Sequence, residues 1–430
     1  MMPPAPQEGS GLTPVRSTLD NGVVVLAKET RKTPAVALNL AVRAGSICDP
    51  PDAPGASYLL ARVIDRGTAR RSADALAEEI DGRGISLTIN VTRHLFSVVC
   101  TCLAKDFEDI LALLGDVLMA PTVPEHELAT RKGEVVSAIK QDDDSPAVRA
   151  TEGLMALLYG EQHPYGRRTK GSVEIVEGLT RERLLALHAA RFAPSELSAV
   201  IVGDVDAGRA LDAADRVFGG WRAARPAPVP LPPVARSAAR RRHVIPMMNK
   251  AQTEIAYGFT TIARTDPAYY AYWLMNVALG QYALGGRLGD SIRERQGMAY
   301  HVSSALDANV LEGPLVIRAG VSSANVERAI SSIDDELTRL RIDGLFDKEL
   351  REMKQYLVGS MPRALEANAG IANFLQAMEF FGLGLDYDRR LPGILGAVTL
   401  DEVHEAAKEA LDPARATIVV AGPYTEDTGI

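Results

Sequence analysis

Two stretches of this 430-residue chain hold residue types that could act on a peptide. In "GQYALGGRLGDSIRERQGMAYHVSSALDA" (280–308), a glycine-rich turn leads into a helix carrying Arg293, and Tyr300 follows at the expected start of a strand. A guanidinium presents fixed donors to a carbonyl or carboxylate, and a phenol hydroxyl can hydrogen-bond the oxyanion formed when water adds to a peptide carbonyl. Neither activates water unaided. Gly297 between them is the expected helix C-cap, which allows both side chains to face one cleft. Read as isolated residues they have a plainer explanation, with Arg293 paired to Asp290 or Glu294 and Tyr300 half-buried in its strand. The turn lacks the Gly-Lys-Ser/Thr ending of a phosphate loop. The backbone freedom of Gly285, Gly286 and Gly289 suits instead the close approach of an extended peptide.

The second stretch, "GASYLLARVIDRGT" (55–68), reads as an amphipathic helix burying Leu59, Leu60, Val63 and Ile64. It has the frame of a metal-binding helix without the ligands. The seven histidines of the chain (94, 126, 163, 188, 243, 301 and 404) include no pair three or four apart, so no helix face presents two imidazoles to a metal. Cys48, Cys100 and Cys102 are the only cysteines and suit neither a disulfide framework nor structural zinc.

The elements that must position these residues are ordinary for a soluble chain of this length. Apolar residues make up 47% and charged residues 24%, the net charge is −8, and 430 residues exceed one compact core. With this charge and no basic, aromatic-interleaved stripe, nucleic acid is not an expected partner. No apolar run is long enough for a membrane span or a signal peptide, so the expected location is the cytoplasm. "RAARPAPVPLPPVARSAARRR" (222–242) reads as a semi-rigid linker rich in Pro, Ala and Arg. The halves on either side resemble each other. "HAARFAPSELSAVIVGDV" (188–205) and "EAAKEALDPARATIVVAGPY" (405–424) are each a helix, a Pro-bearing turn, an alternating apolar run and a Gly stop. The expectation is an α+β chain of two tandem domains, 12–221 and 243–426, each with a mixed sheet covered on one face by helices.

In spacing and order, nearly the whole chain resembles the insulinase or pitrilysin-like zinc peptidases, whose H-x-x-E-H motif lies on a helix followed by a Gly-Thr turn. "LDNGVVVLAKE" (19–29), "AVRAGSICDP" (41–50), "DRGTARRS" (65–72) and "HPYGRRTKGSVEIVEGLTRERLLALHAARFAPSELSAVIVGDVD" (163–206) carry the likeness in the first half. In that register the histidine positions hold Tyr58 and Arg62, the glutamate position holds Ala61, and the third ligand falls near Ala138, one turn from Glu134. Zinc needs neutral imidazoles or carboxylates, and a guanidinium repels it. No metal or other cofactor is expected in this chain.

The resemblance implies the non-zinc subunit of a two-chain peptidase, similar in arrangement to the bacterial two-subunit members and the mitochondrial processing peptidase pair. Such a chain is inactive alone and closes a chamber with a zinc-bearing homologous subunit as a heterodimer. It helps to hold extended peptide substrates, with Arg293 and Tyr300 supporting the transition state and Gly285, Gly286 and Gly289 forming the substrate loop. The alternative is a catalytically silent scaffold of the same fold, like the core subunits of the respiratory bc1 complex.

Overall fold

The computed structural model describes residues 11–282 and 284–425. Eleven strands appear among them: β1 (Val15–Thr18), β2 (Val24–Glu29), β3 (Ala35–Val42), β4 (Ser86–Val91), β5 (Phe96–Leu103), β6 (Leu197–Gly203), β7 (Arg241–Pro246), β8 (Thr253–Thr260), β9 (Ala299–Leu306), β10 (Pro314–Val321) and β11 (Thr417–Gly422). They form two sheets, ordered β1-β2-β6-β3-β5-β4 and β7-β11-β8-β10-β9. Apart from β1, the two orders correspond strand for strand. Each sheet has one parallel pair, β2 with β6 and β7 with β11, and is otherwise antiparallel.

The endings matched in the sequence correspond in structure too. Helix Arg181–Arg191, the turn Pro194–Glu196 and β6 repeat as helix Leu400–Ala410, the turn Pro413–Arg415 and β11. Thr180 and Thr399 cap the two helices by accepting from the backbone N–H three residues on.

The two compact units do not coincide with contiguous halves. One takes the chain up to Ser137, then Arg168–Pro230 and Met361–Leu391, while the other takes Ala138–Arg167, Leu231–Ser360 and the chain from Pro392. Of the expected spans, 12–221 and 243–426, each gives a helix to the unit built mainly by the other.

In the first unit the donated helix is Asn368–Phe381, packed on β3 and β6. Side chains alternate between the faces of a strand, yet every residue of β3 from Val36 to Val42 is buried, so both faces of the sheet are covered at its centre. The contact is partly polar. The Asn39 amide nitrogen donates to Asn373 Oδ1 at 2.8 Å, and Gln376 donates to Ser198 Oγ. In the second unit the donated helix is Pro146–Tyr159, and the contact is apolar. Ala150, Leu154 and Leu158 form one buried cluster with Ala256, Val316, Val419 and Ala421. Gly258 in β8 leaves room for it, because a Cβ there would lie 2.8 Å from Leu154 Cδ2.

The Pro-rich segment contains no helix or strand between 222 and 237, but it is tied down. Arg191 donates to the Ala227 carbonyl in the first unit, while in the second His163 Nε2 bonds the Pro232 carbonyl and Arg236 pairs with Glu409. "HPYG" therefore has a structural task. His163 Nδ1 accepts from the Tyr165 N–H at 3.0 Å, and the Tyr165 hydroxyl accepts from the Leu311 N–H, in the connection between β9 and β10.

Candidate functional site

The approach to Arg293 and Tyr300 is built from widened helix. Helix Tyr269–Asn276 runs into a π-helical segment, Val277–Gln281, and after the turn a second one, Gly289–Arg295, follows the single turn Gly286–Leu288. Such segments carry an extra residue per turn and rotate the side chains that follow. Ala283, inside the glycine-rich turn, lies outside the described residues. The glycines have packing reasons. Gly285 and Gly286 adopt φ of +113° and +57°; a Cβ on Gly285 would lie 2.6 Å from the Val302 carbonyl oxygen, and one on Gly286 would lie 2.4 Å from that of Ala278. A Cβ on Gly289 would lie 2.3 Å from the Leu284 carbonyl oxygen. The freedom assigned to a peptide's approach is thus used to fold the turn onto itself and onto β9. Arg287 fastens the outside of the turn, donating to Glu349 and to the Gly344 carbonyl.

Gly297 closes the second π segment as the sequence suggested. It has φ of +61°, its N–H bonds the Arg293 carbonyl at 3.0 Å, and the next N–H bonds Ile292. The Arg293 guanidinium faces Glu294, with Nε to Oε1 at 2.9 Å and Nη2 to Oε1 at 2.8 Å. This is the plainer arrangement the sequence also allowed. The pair is partly exposed, and such pairs hold a side chain by about 1 kcal/mol or less. Tyr300 is not half-buried; it is 80% exposed. It sits where the β9–β10 ladder shifts register, since Val321 faces Ala299 and Gly320 faces His301. The unmatched residue is Tyr300, at a bulge on the edge strand of its sheet. No hydrogen bond joins it to Arg293.

Next to Tyr300 the structure reveals a pair that sequence spacing does not. His301 Nε2 lies 3.4 Å from Oε2 of the buried Glu254, on β8, with β10 between them. Gly320 makes this possible, because a Cβ there would lie 2.6 Å from His301 Cε1 and 2.9 Å from Glu254 Oε1. Burial pushes the Glu254 carboxyl up from its usual range, against the opposing pull of His301 and Arg318. The residues are 47 positions apart, so no local motif could have shown the contact.

In the first unit, helix Ala56–Val63 spans the positions where the resemblance puts a metal-binding helix. The buried Asp49 caps it by accepting from the Gly55 and Ser57 N–H groups, each at 2.8 Å, and from the Ser57 hydroxyl. Leu59, Leu60, Val63 and Ile64 are fully buried, as expected. Tyr58 and Arg62, one turn apart, meet on its surface. Arg62 Nη2 donates to the Tyr58 hydroxyl at 3.2 Å, and the guanidinium carbon lies 4.7 Å from the ring centroid. Lys170 Nζ lies 5.9 Å from the same centroid, a neighbour that sequence reasoning missed. Ala61 is buried and Ala138 half-buried, and neither has a donor to give. Glu134 is engaged by Arg131 on its own helix.

Zinc does not fit here. The two positions that meet on the helix surface offer a phenol and a guanidinium, with a second cation beside them, and no group of three or more metal-binding side chains is found among the described residues. No helix of the described residues is long and apolar enough to cross a membrane.

Comparison with known proteins finds matches in both halves of the chain. The insulinase profile (peptidase family M16) matches residues 24–170, and the profile of the peptidase M16 inactive domain matches residues 178–357. Uncharacterized zinc proteases of Streptomyces coelicolor and Mycobacterium leprae are 25% and 26% identical, over 96% and 95% of this chain and 90% and 92% of theirs. A crystal structure of a peptidase M16 inactive domain from Pseudomonas fluorescens superposes with a TM-score of 0.89 at 27% identity, covering 96% of this chain and 98% of that one. A protease from Helicobacter pylori shares the fold, with a TM-score of 0.86 at 16% identity over 95% of this chain and 99% of its own. With matching profiles in both halves, the chain belongs to the insulinase family of M16 peptidases.

Proposed function

We propose that this chain is the non-zinc subunit of a heterodimeric M16 peptidase. It closes one side of the space that holds the substrate and helps to bind and orient extended peptides, while a zinc-bearing homologous subunit supplies the metal. The observation that carries this reading is the asymmetry between the two candidate sites. The metal helix has exchanged its ligands for a Tyr–Arg pair, whereas Tyr300 stands 80% exposed at an edge-strand bulge behind a glycine-clamped turn. At 80% exposure the ring and hydroxyl of Tyr300 are open to a ligand. Its hydroxyl can donate to the carbonyl oxygen of a bound peptide. The Arg293 guanidinium, released from Glu294, can hold the neighbouring backbone.

One observation favours the alternative, a silent scaffold of the same fold: Arg293 is held by Glu294 rather than presented. Mixing decides between them. The chain alone is expected to cleave no flexible fluorogenic peptide. Together with a zinc-bearing homologue it is expected to restore cleavage that neither protein shows by itself. If the Tyr300→Phe and Arg293→Ala chains co-purify with that homologue and support cleavage at the unmutated rate, the chain is a scaffold.

A further inference from the structure

Two matched rungs of the β9–β10 ladder, Ala299 opposite Val321 and Val302 opposite Ala319, enclose two residues on β9 and one on β10. Tyr300 and His301 therefore compete for a single place, the one opposite Gly320. The residue that loses it becomes the bulge residue, and a bulge re-aims the side chain it leaves unmatched. His301 holds the place, and Tyr300 is left 80% exposed. What favours His301 there also decides where Tyr300 points.

The reason lies one strand farther in. Glu254, Gly320 and His301 are in register across β8, β10 and β9, and residues directly opposite one another project to the same face of a sheet. With no side chain on Gly320, the outer two meet above it. His301 Nε2 lies 3.4 Å from Glu254 Oε2, and the ring takes the space of the missing Cβ, which would lie 2.8 Å from His301 Nδ1. A buried carboxylate without a partner is costly, and an imidazole, which can take up a proton, is a better partner for it than a phenol. The Tyr300 hydroxyl is the next candidate, since it would reach the same carboxylate from the same place. Arg318, two positions along β10 on the same face, also attracts Glu254, so the carboxylate keeps a cation nearby when His301 is replaced.

We infer that His301 and Glu254 are positioning residues: their contact above Gly320 locks the bulge at Tyr300 and holds the tyrosine side chain out of the sheet, open to a ligand. That this ligand is a peptide rests on the proposed function; the lock itself does not.

The test is hydroxyl-radical footprinting of the full chain, read tyrosine by tyrosine through peptide mass spectrometry, with the fully buried Tyr165 and Tyr257 as internal references. His301→Leu is expected to slow the oxidation of Tyr300 severalfold, because leucine offers the carboxylate nothing and Tyr300 then takes the place opposite Gly320. His301→Gln, whose amide N–H can donate to the carboxylate, should stay near the unmutated rate. If His301→Leu melts too low for use, Glu254→Leu serves instead: it leaves an apolar neighbour that suits the phenol ring better than the imidazole, and should shield Tyr300 as well. Unchanged oxidation of Tyr300 in the folded leucine variant overturns the proposal. In an active mixture with a zinc-bearing homologue, His301→Leu should lower kcat by about ten- to a hundredfold, as misplacement of a contacting group does. Adding Tyr300→Phe should cost little more, since both changes remove one contact. A kcat untouched by His301→Leu overturns the positioning role. Shielding of Tyr300 combined with no cleavage in any mixture, the unmutated one included, keeps the lock and rejects the peptidase-subunit reading.

Discussion

The His301 imidazole reaches the Glu254 carboxylate across the gap left by Gly320, with Nε2 and Oε2 3.4 Å apart and one strand between them. Gly320 is not at positive φ, so in backbone terms alanine is allowed and would ordinarily stabilise by about 0.4–1 kcal/mol. Its Cβ would nevertheless meet both partners closer than 3 Å. Gly320→Ala is therefore expected to separate the pair, leave a buried carboxylate without its partner, and destabilise by about 1–3 kcal/mol net. Denaturant unfolding measures this, and a stabilised variant would show that the contact does not hold the strands.

Protonation should weaken the fold below neutral pH. Burial lowers the pKa of three histidines: His94 to about 4, helped by Arg93, and His163 and His188, each against the opposing effect of a backbone carbonyl. Since each folded pKa lies below the unfolded one, the unfolded chain takes up protons first as pH falls. The loss of stability starts near the unfolded pKa of about 6.5 and continues down to the folded value. For His94 alone it should reach about 2 kcal/mol at pH 5. Urea midpoints at pH 7 and pH 5 check this, and His94→Gln should remove part of the difference. A midpoint that stays flat over this range would count against neutral buried histidines.

The exchanged helices make each half of the sequence incomplete. Residues 12–221 expressed alone lack the helix Asn368–Phe381 that covers β3 and β6, and residues 243–426 lack Pro146–Tyr159. Neither fragment is expected to show cooperative unfolding alone, whereas a chain cut within the Pro-rich segment should co-purify as two pieces. Leu154→Ala in the intact chain, at a fully buried position, should cost about 2–5 kcal/mol. A well-dispersed amide spectrum from either isolated half would contradict this.

Dialysis without chelator should leave the purified chain free of stoichiometric zinc, because the paired positions on the helix surface hold Tyr58 and Arg62. Elemental analysis settles the matter. One tightly held zinc per chain would mean that ligands had been recruited from elsewhere.

In an active mixture, Tyr300→Phe should lower kcat by roughly one to three powers of ten, with a smaller change in KM, since a bond made mainly to the oxyanion is worth most in the transition state. Arg293→Ala should also raise KM, because a guanidinium can hold the ground-state peptide. Steady-state kinetics separate these outcomes from simple loss of assembly. A Tyr300→Phe effect confined to KM would assign the hydroxyl to substrate binding only.

The sequence by itself determined what depends on residue type and short spacing. Apolar alternation and a Pro-bearing turn marked the repeated helix–turn–strand ending, Gly297 closed its helix, and Tyr58 and Arg62 put a phenol and a guanidinium on one helix face where zinc would need imidazoles. These features form from contacts within a few residues, where local periodicity is a sufficient guide. Tertiary structure alone decided which unit receives each long helix, because Leu154 is equally apolar whichever sheet it covers, and the space above Gly258 admits it in the second unit. It also brought Lys170 to Tyr58 and His301 to Glu254, across separations that leave no periodic trace. The turn glycines show the same division, since their freedom was legible in the sequence while the carbonyl oxygens that require it are brought there by the fold.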